Sequence, residues 1–476
     1  MAKSKRQKYI FSLIGAIIYQ IGMSSITIMG LLNVYITSYI QLNQKWVTMH
    51  YGLFLQPIST LSSSISSPLG GYIENKIGFH YSIILSNIIF FIGIFGLYMT
   101  QNIWLCYFFF LIIGISCFSF NIPTKNLLFY VPEKKGFILA IINVGLQIFG
   151  SILIFIGEVI INKSGYSLKK DEKLYPQSIA TNTPKFYIFQ VICVPIFTLF
   201  SFLFIYIYDP SFENESNEEI ENKFTSILED GNKNSLSIQM INQETKTSDL
   251  KINENEDEEE KKKKDEKYSN DIKKAIRSNQ FRLLCGIAFF ISFLVIFVSL
   301  TFRIFGALIG IEGNTFKYLG FVIGISNIIV ILIWGCLVDK IGSKIILKIT
   351  SAGCVIVGIM LCFSLNNTIL FILSISITTI NIQGFISAIN PHIMEIFTIK
   401  YSLEIGGLIS LCSGINFVIC SILSFIISLY YTTGEQLKTP YKIIYIVGSF
   451  LSFIGFILVY YESGEKFNFD DDDNKN

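Results

Sequence analysis

The sequence is poor in charge, in histidine and in the short motifs that mark enzymes. Only 15% of its 476 residues are charged, against 51% hydrophobic and 15% aromatic, at a mean hydropathy of +0.55. One soluble core cannot hide that much apolar side chain, so the expected solvent is lipid. Three histidines and the absence of any CxxC leave little capacity for a metal site. Cys106, Cys117, Cys193, Cys285, Cys336, Cys354, Cys362, Cys412 and Cys420 lie within or at the ends of apolar runs and read as small packing hydrophobes. No Walker-type phosphate loop and no nucleophile constellation stand out, so neither an ATP-driven pump nor an enzyme is expected, and no cofactor. The 37 basic and 35 acidic residues nearly cancel, to +2, which gives no reason to expect a nucleic-acid partner.

What the chain has is long apolar runs, at 9–40, 49–73, 79–101, 103–131, 136–161 and 186–208, then at 281–311, 316–338, 345–365, 369–396, 406–430 and 441–460. A helix needs roughly 17–25 apolar residues to cross the hydrocarbon, more when tilted. Helix is required there, because lipid offers backbone groups no other hydrogen-bond partner. The first run follows Lys3, Lys5, Arg6 and Lys8 and exceeds the roughly 7–15 residues of a signal-peptide core, so it reads as a retained helix. The expectation is an all-α membrane protein of twelve transmembrane helices in two six-helix bundles, 1–208 and 281–462.

Between the bundles, 209–280 turns to Asn, Glu, Lys and Ser, with an acidic block over 254–260 followed by four lysines at 261–264. Such a stretch cannot build a core and reads as a disordered charged linker, either a plain tether or a docking site for a protein partner the sequence does not name. The acidic tail, 463–476, is expected to be solvated and flexible. Twelve crossings put both termini and the linker on one side. Lys76, Lys134, Lys135, Lys340, Lys344 and Lys400 mark that side as cytosolic, although Lys163, Lys169, Lys170 and Lys173 in an outer loop run against the rule.

The halves carry matching markers. Gly335 and Gly342 lie 264 residues after Gly71 and Gly78, and Gly406 lies 270 after Gly136. The pattern G-x-x-x-D-K-x-G-x-K, as Gly335, Asp339, Lys340, Gly342 and Lys344, joins the eighth run to the ninth. Gly71, Asn75, Lys76 and Gly78 echo it between the second and third, with Asn75 at the acidic position and Glu74 beside it. The six-plus-six arrangement, the linker and this motif resemble the major facilitator superfamily over nearly the whole chain outside linker and tails. Pro132 to Gly136, followed by Gly145 and Gly150, loosely resembles its monocarboxylate and oxalate/formate branch. The resemblance implies a secondary transporter whose bundles rock about a central site, with the motif loops as part of a cytosolic gate. Asp339 would then meet the partial positive charge at the start of a facing helix. Because Asn75 replaces the acid in the first copy, the second loop is expected to hold the stronger charged contact.

An ionisable residue inside a spanning helix is a functional candidate by default. Arg303 either faces the cavity, where it suits a carboxylate fork, or snorkels to the interface. Lys125 and Glu395 correspond at the 270 offset; they either pair across the cavity or each reach water. His392 shares a helical face with Glu395 and serves either proton coupling or packing. Asn33, Tyr35, Gln147 and Asn416 are neutral candidates, each either lining the cavity or bonding between helices. The leading expectation is a carrier of a small organic anion, most of all a monocarboxylate, by proton symport or anion exchange, with the lipid bilayer as its other partner. Its alternatives are a carrier of amino acids, sugars or drug-like solutes, and a non-transporting membrane receptor or anchor.

Overall fold

The computed structural model describes residues 5–24, 32–164, 166, 174–208, 254–309, 311, 313–364, 367–430 and 434–469; of these, 254–262, 264, 265, 303, 304, 307, 308, 313–323, 428, 434 and 435 are described in backbone only. The regular structure among them is helical. Apart from single turns at Met49–Gly52 and Gln177–Ala180, the α-helices in chain order are α1 (Lys5–Met23), α2 (Asn33–Gln41), α3 (Leu55–Ser66), α4 (Leu69–Ile77), α5 (Phe79–Met99), α6 (Ile103–Ile115), α7 (Ile122–Tyr130), α8 (Lys135–Ile161), α9 (Thr183–Phe202), α10 (Glu254–Arg277), α11 (Asn279–Leu308), α12 (Gly313–Ile341), α13 (Ser343–Phe363), α14 (Thr368–Tyr430) and α15 (Gly434–Tyr461).

Among the described residues, nine helical stretches are long and apolar enough to cross a membrane. One of them, Thr368–Ile427, is two helices end to end, because Thr398 takes φ 65° and ψ 161° and breaks the helical run. Among the described residues two apolar runs are divided: 49–73 carries α3 and α4, with Pro68 between them removing a backbone donor, and 103–131 carries α6 and α7 on either side of a 3-10 turn at Ser116–Ser119. The outward faces stay apolar: Ile88, Phe95 and Met99 on α5 are 52%, 44% and 65% exposed, and Ile192, Ile196 and Leu199 on α9 are 54%, 57% and 64% exposed. Apolar faces this extensive do not suit water, so their surroundings are the lipid tails. The protein is an integral multi-pass membrane protein.

Within the first half, α1 packs on α8 and α9, and α3 on α6; within the second, α11 and α13 each pack on α14 and α15. The halves meet along two seams, α8 with α12 and α3 with α14. Both seams are built on glycine. A Cβ on Gly335 would lie 2.7 Å from the Gly136 carbonyl oxygen, and one on Gly407 would lie 2.5 Å from Pro68 N. The seams hold because backbones touch where side chains are missing. Outside this bundle, α10 occupies the end of the stretch whose composition reads as linker. Its last turns are anchored, with Ala275 fully buried and Asp271 5% exposed.

The motif repeat has a backbone meaning. Gly78 and Gly342 take φ +87° with ψ 164° and φ +93° with ψ 147°, each closing one helix and opening the next. Both sites have open space where a Cβ would point, so only the backbone angle excludes other residues. Gly342→Ala and Gly78→Ala should each cost about 1–3 kcal/mol, lowering the thermal unfolding midpoint of the detergent-solubilised protein. Thr398→Gly should raise it, because there the strained residue already carries a side chain.

Candidate functional site

Where the seams diverge they enclose a cavity of about 490 Å³. Its wall is mostly apolar, with Phe120, Ile142, Leu146, Ile386 and Phe417 among its members, and is broken by hydroxyls and amides: Ser59, Thr60, Ser63, Ser64 and Ser67 from α3 and the turn after it, Gln20 from α1, Asn143 and Gln147 from α8, and Gln383, Asn390 and Ser410 from α14. A run of serines can cross an apolar layer because each hydroxyl bonds back within its own helix. Thr60, Ser62 and Ser64 donate to the carbonyls of Gln56, Ile58 and Thr60 at 3.0, 2.9 and 2.9 Å. The same small side chains let α14 come close, since a Cβ on Gly414 would lie 2.7 Å from Ser64 Oγ.

Lys125, on α7, is the one Asp, Glu, Lys or Arg on this wall among the described residues. Its Nζ stands 3.1 Å from Glu74 Oε2 on α4. The pairing expected with Glu395 is therefore not the one held. Lys125 and Glu74 come from neighbouring helices of one half, whereas Glu395 turns to Ser343, 2.5 Å away at the start of α13.

The cavity is closed at the end that carries the motif loops. Asp339 reaches across from α12 and accepts two backbone N–H bonds at the start of α8, from Gly136 at 2.8 Å and Phe137 at 2.9 Å. These are two of the donors a helix start leaves unpaired, and the carboxylate also meets the positive end of the helix dipole. At the other seam, the Glu404 carboxylate lies directly over Gly71, where any Cβ would overlap its Oε1. Glu404 is 4% exposed. Toward the opposite end, the Phe425 ring lies 5.4 Å from that of Phe54 and 6.1 Å from that of His50.

The other sequence candidates scatter. Gln147 lines the cavity. His392, 2% exposed, accepts or donates at both ring nitrogens, with Ser343 Oγ at 3.0 Å and Glu462 Oε2 at 3.0 Å. The motif lysine Lys344 completes that cluster, 3.8 Å from Glu462. Asn416, fully buried, donates to the Phe289 carbonyl at 2.6 Å and to Ser292 at 2.8 Å, tying α14 to α11. Tyr35 stacks on Tyr175 at 4.3 Å, and the Asn33 carbonyl accepts from Thr37. The Arg303 side chain lies outside the described residues. Exposed Lys76 sits over the Tyr72 ring at 5.8 Å, and Lys340 is exposed. Sequence reasoning missed Glu404, whose neighbours Lys400 and Gly406 read as a connection outside the membrane. It also missed the serine run of α3, which was visible as hydroxyls inside an apolar stretch.

The Major Facilitator Superfamily model matches residues 12–397. The chain belongs to that superfamily. Its members are transporters, so this chain is a membrane transport protein rather than an enzyme. Among curated proteins no relative matches. Among solved structures, the chain is similar to the proton:xylose symporter XylE bound to 6-bromo-6-deoxy-D-glucose, at 14% identity and a TM-score of 0.58, over 94% of this chain and 95% of that one. It is also similar to the human organic anion transporter MFSD10 (TETRAN), at 12% identity and 0.64, over 96% and 100%. A third likeness is FucP in its outward conformation, at 13% and 0.60, over 96% and 99%. At these identities the likeness is one of fold, and it places the facilitator fold over nearly the full chain.

Two expectations follow. Asp339→Asn should reduce transport about fivefold, the order of one charge–dipole contact, and Asn75→Asp should change it less; equal effects would remove the asymmetry between the two loops. Glu462 is 1% exposed. Burial raises its pKa, but the His392 hydrogen bond and charge, the Gly464 N–H and Lys344 outweigh burial and leave it below the ordinary glutamate value. A depressed carboxylate stabilises the fold above its unfolded-state pKa and loses that contribution as pH falls through the folded one. The stability difference between wild type and Glu462→Gln should therefore be full near neutrality and shrink at acid pH, as read by thermal unfolding across a pH series.

Proposed function

We propose that the chain is a secondary transporter that moves a small organic anion, most of all a hydroxylated monocarboxylate, by alternating access. The reading rests on Lys125, the one charged side chain on the wall among the described residues, set amid hydroxyls and amides that suit the rest of such a solute. Lys125 is already paired with Glu74, so an incoming carboxylate must take the lysine from it. If Glu74 accepts a proton as it is displaced, one carboxylate and one proton enter together and the charge at the site is unchanged. That is proton symport; displacement by a second carboxylate without the proton is anion exchange.

The reading includes twelve crossings, with both termini and the linker cytosolic. The nine apolar stretches support it, since Thr368–Ile427 comprises two helices and the pairs α1–α2 and α3–α4 each fill one apolar run. The motif end is then the cytosolic gate, closed in this conformation, with bundles over 1–208 and 281–462. A second reading, a neutral hydroxylated solute such as a sugar, is favoured by the same ion pair, because Glu74, behind the wall, balances the charge of Lys125.

Uptake of labelled lactate, pyruvate and a neutral sugar into proteoliposomes under a pH gradient separates them. The first reading expects carboxylate uptake, reduced at least about tenfold in Lys125→Gln, as for loss of a charged hydrogen bond. Sugar uptake that survives Lys125→Gln would establish the second, and no uptake of any of the three above empty vesicles would remove both.

A further inference from the structure

The gate carboxylate Glu404 is held by a residue from outside both bundles. Tyr268, on α10, donates its hydroxyl to Glu404 Oε1 at 2.6 Å, and the same hydroxyl oxygen lies 3.4 Å from the Lys400 carbonyl. The ring is fixed on two sides: it lies 5.0 Å from the Tyr401 ring, and Lys400 Nζ stands 5.6 Å above it. Three residues further along α10, Asp271 accepts a 2.7 Å bond from the Tyr401 hydroxyl, pinning the helix to the same turn of α14.

Glu404 needs that help. Its Oε2 is buried and has no hydrogen-bond partner among the described residues, and the Tyr268 bond is the side-chain hydrogen bond its carboxylate receives. The charged groups that act on it are Lys125, favourably, and Glu74, unfavourably, both on the first half. A buried carboxylate with one donor removed becomes costly where it stands. It lies there because Gly71, on the first half, offers no side chain. Glu404, Tyr401 and α10, which runs into α11 through Ser278 alone, all belong to the second half.

We propose that Tyr268 is a positioning residue of the transport cycle, latching the motif end shut by holding the Glu404 carboxylate against Gly71. The charged linker thus does more than join the bundles: its last turns carry the bolt of the gate. Opening moves α4 away from Glu404, while the Tyr268–Glu404 pair travels together on the second half. The latch sets how readily the closed form re-forms, and it does not contact the solute. It rests on the alternating-access reading above.

Hydrogen–deuterium exchange on the full chain in lipid nanodiscs tests it without any substrate, so a failed uptake assay leaves the test intact. Tyr268→Phe keeps the ring and removes only the hydroxyl. It should raise exchange at amides of 68–78 and 132–137 about tenfold, the order expected for loss of a hydrogen bond to a charged group, with the core of α11 unchanged as a measure of folding. Tyr401→Phe releases Asp271 and loosens α10 without touching Glu404, and should raise exchange at 266–277 far more than at 68–78. Unchanged exchange at 68–78 in Tyr268→Phe would overturn the proposal. So would equal effects of the two variants there, because docking of α10 as a whole, and not the hydroxyl on Glu404, would then hold the gate.

Discussion

At the α8–α12 seam the two halves are joined by one carboxylate placed at the start of a helix in the other half of the molecule. Asp339 accepts from Gly136 and Phe137 N–H, and it can do so only because Gly335, one helical turn earlier, lets α12 lie against α8 with backbone touching backbone. The spacing of the motif follows from this geometry. Glycine brings the helices together, aspartate four residues on reaches across, and Gly342 turns the chain at φ +93° into α13. The bond is modest. At an exposed site a charge near a helix start contributes about 0.3–1 kcal/mol, which suits a contact that must break and re-form.

The two copies of the motif share backbone and differ in chemistry. Gly78 and Gly342 adopt nearly the same angles, but Asn75 lies beside Tyr268 rather than at a helix start. The first-half seam is closed from the opposite direction, by Glu404 of the second half lying over Gly71. Pseudo-symmetry therefore supplies two equivalent places for a latch, and each place has a different one. Lys125 lines the cavity and pairs with Glu74, and both act on Glu404, so the cavity and that seam share the same charges.

The helices were legible because lipid leaves little choice: an apolar run of sufficient length must be helical. Their interruptions were less so. Nothing in the apolar pattern of 103–131 separates α6 from α7, and the strained turn at Thr398 falls where no glycine marks it. The Asp339 contact was readable, since its motif occurs twice and its partner is a generic helix start. Lys125 was readable as a buried charge, but its partner was not. The 270-residue offset relates positions by symmetry, whereas contact is decided by which helices are neighbours. Glu404 and Tyr268 were illegible for a shared reason. Each looks like a polar residue in a water-exposed connection, and it is α10 folding back onto the bundle that buries the pair.

The central claim is that Asp339 holds the two halves together at the motif end. Its most direct test is the distribution of distances across that end, measured by pulsed electron resonance between spin labels at 134 and 340 in nanodiscs. The account predicts a dominant short distance in the wild-type background and a shift of population to longer distances in Asp339→Asn. An Asp339→Asn protein with the same distribution as wild type would contradict it.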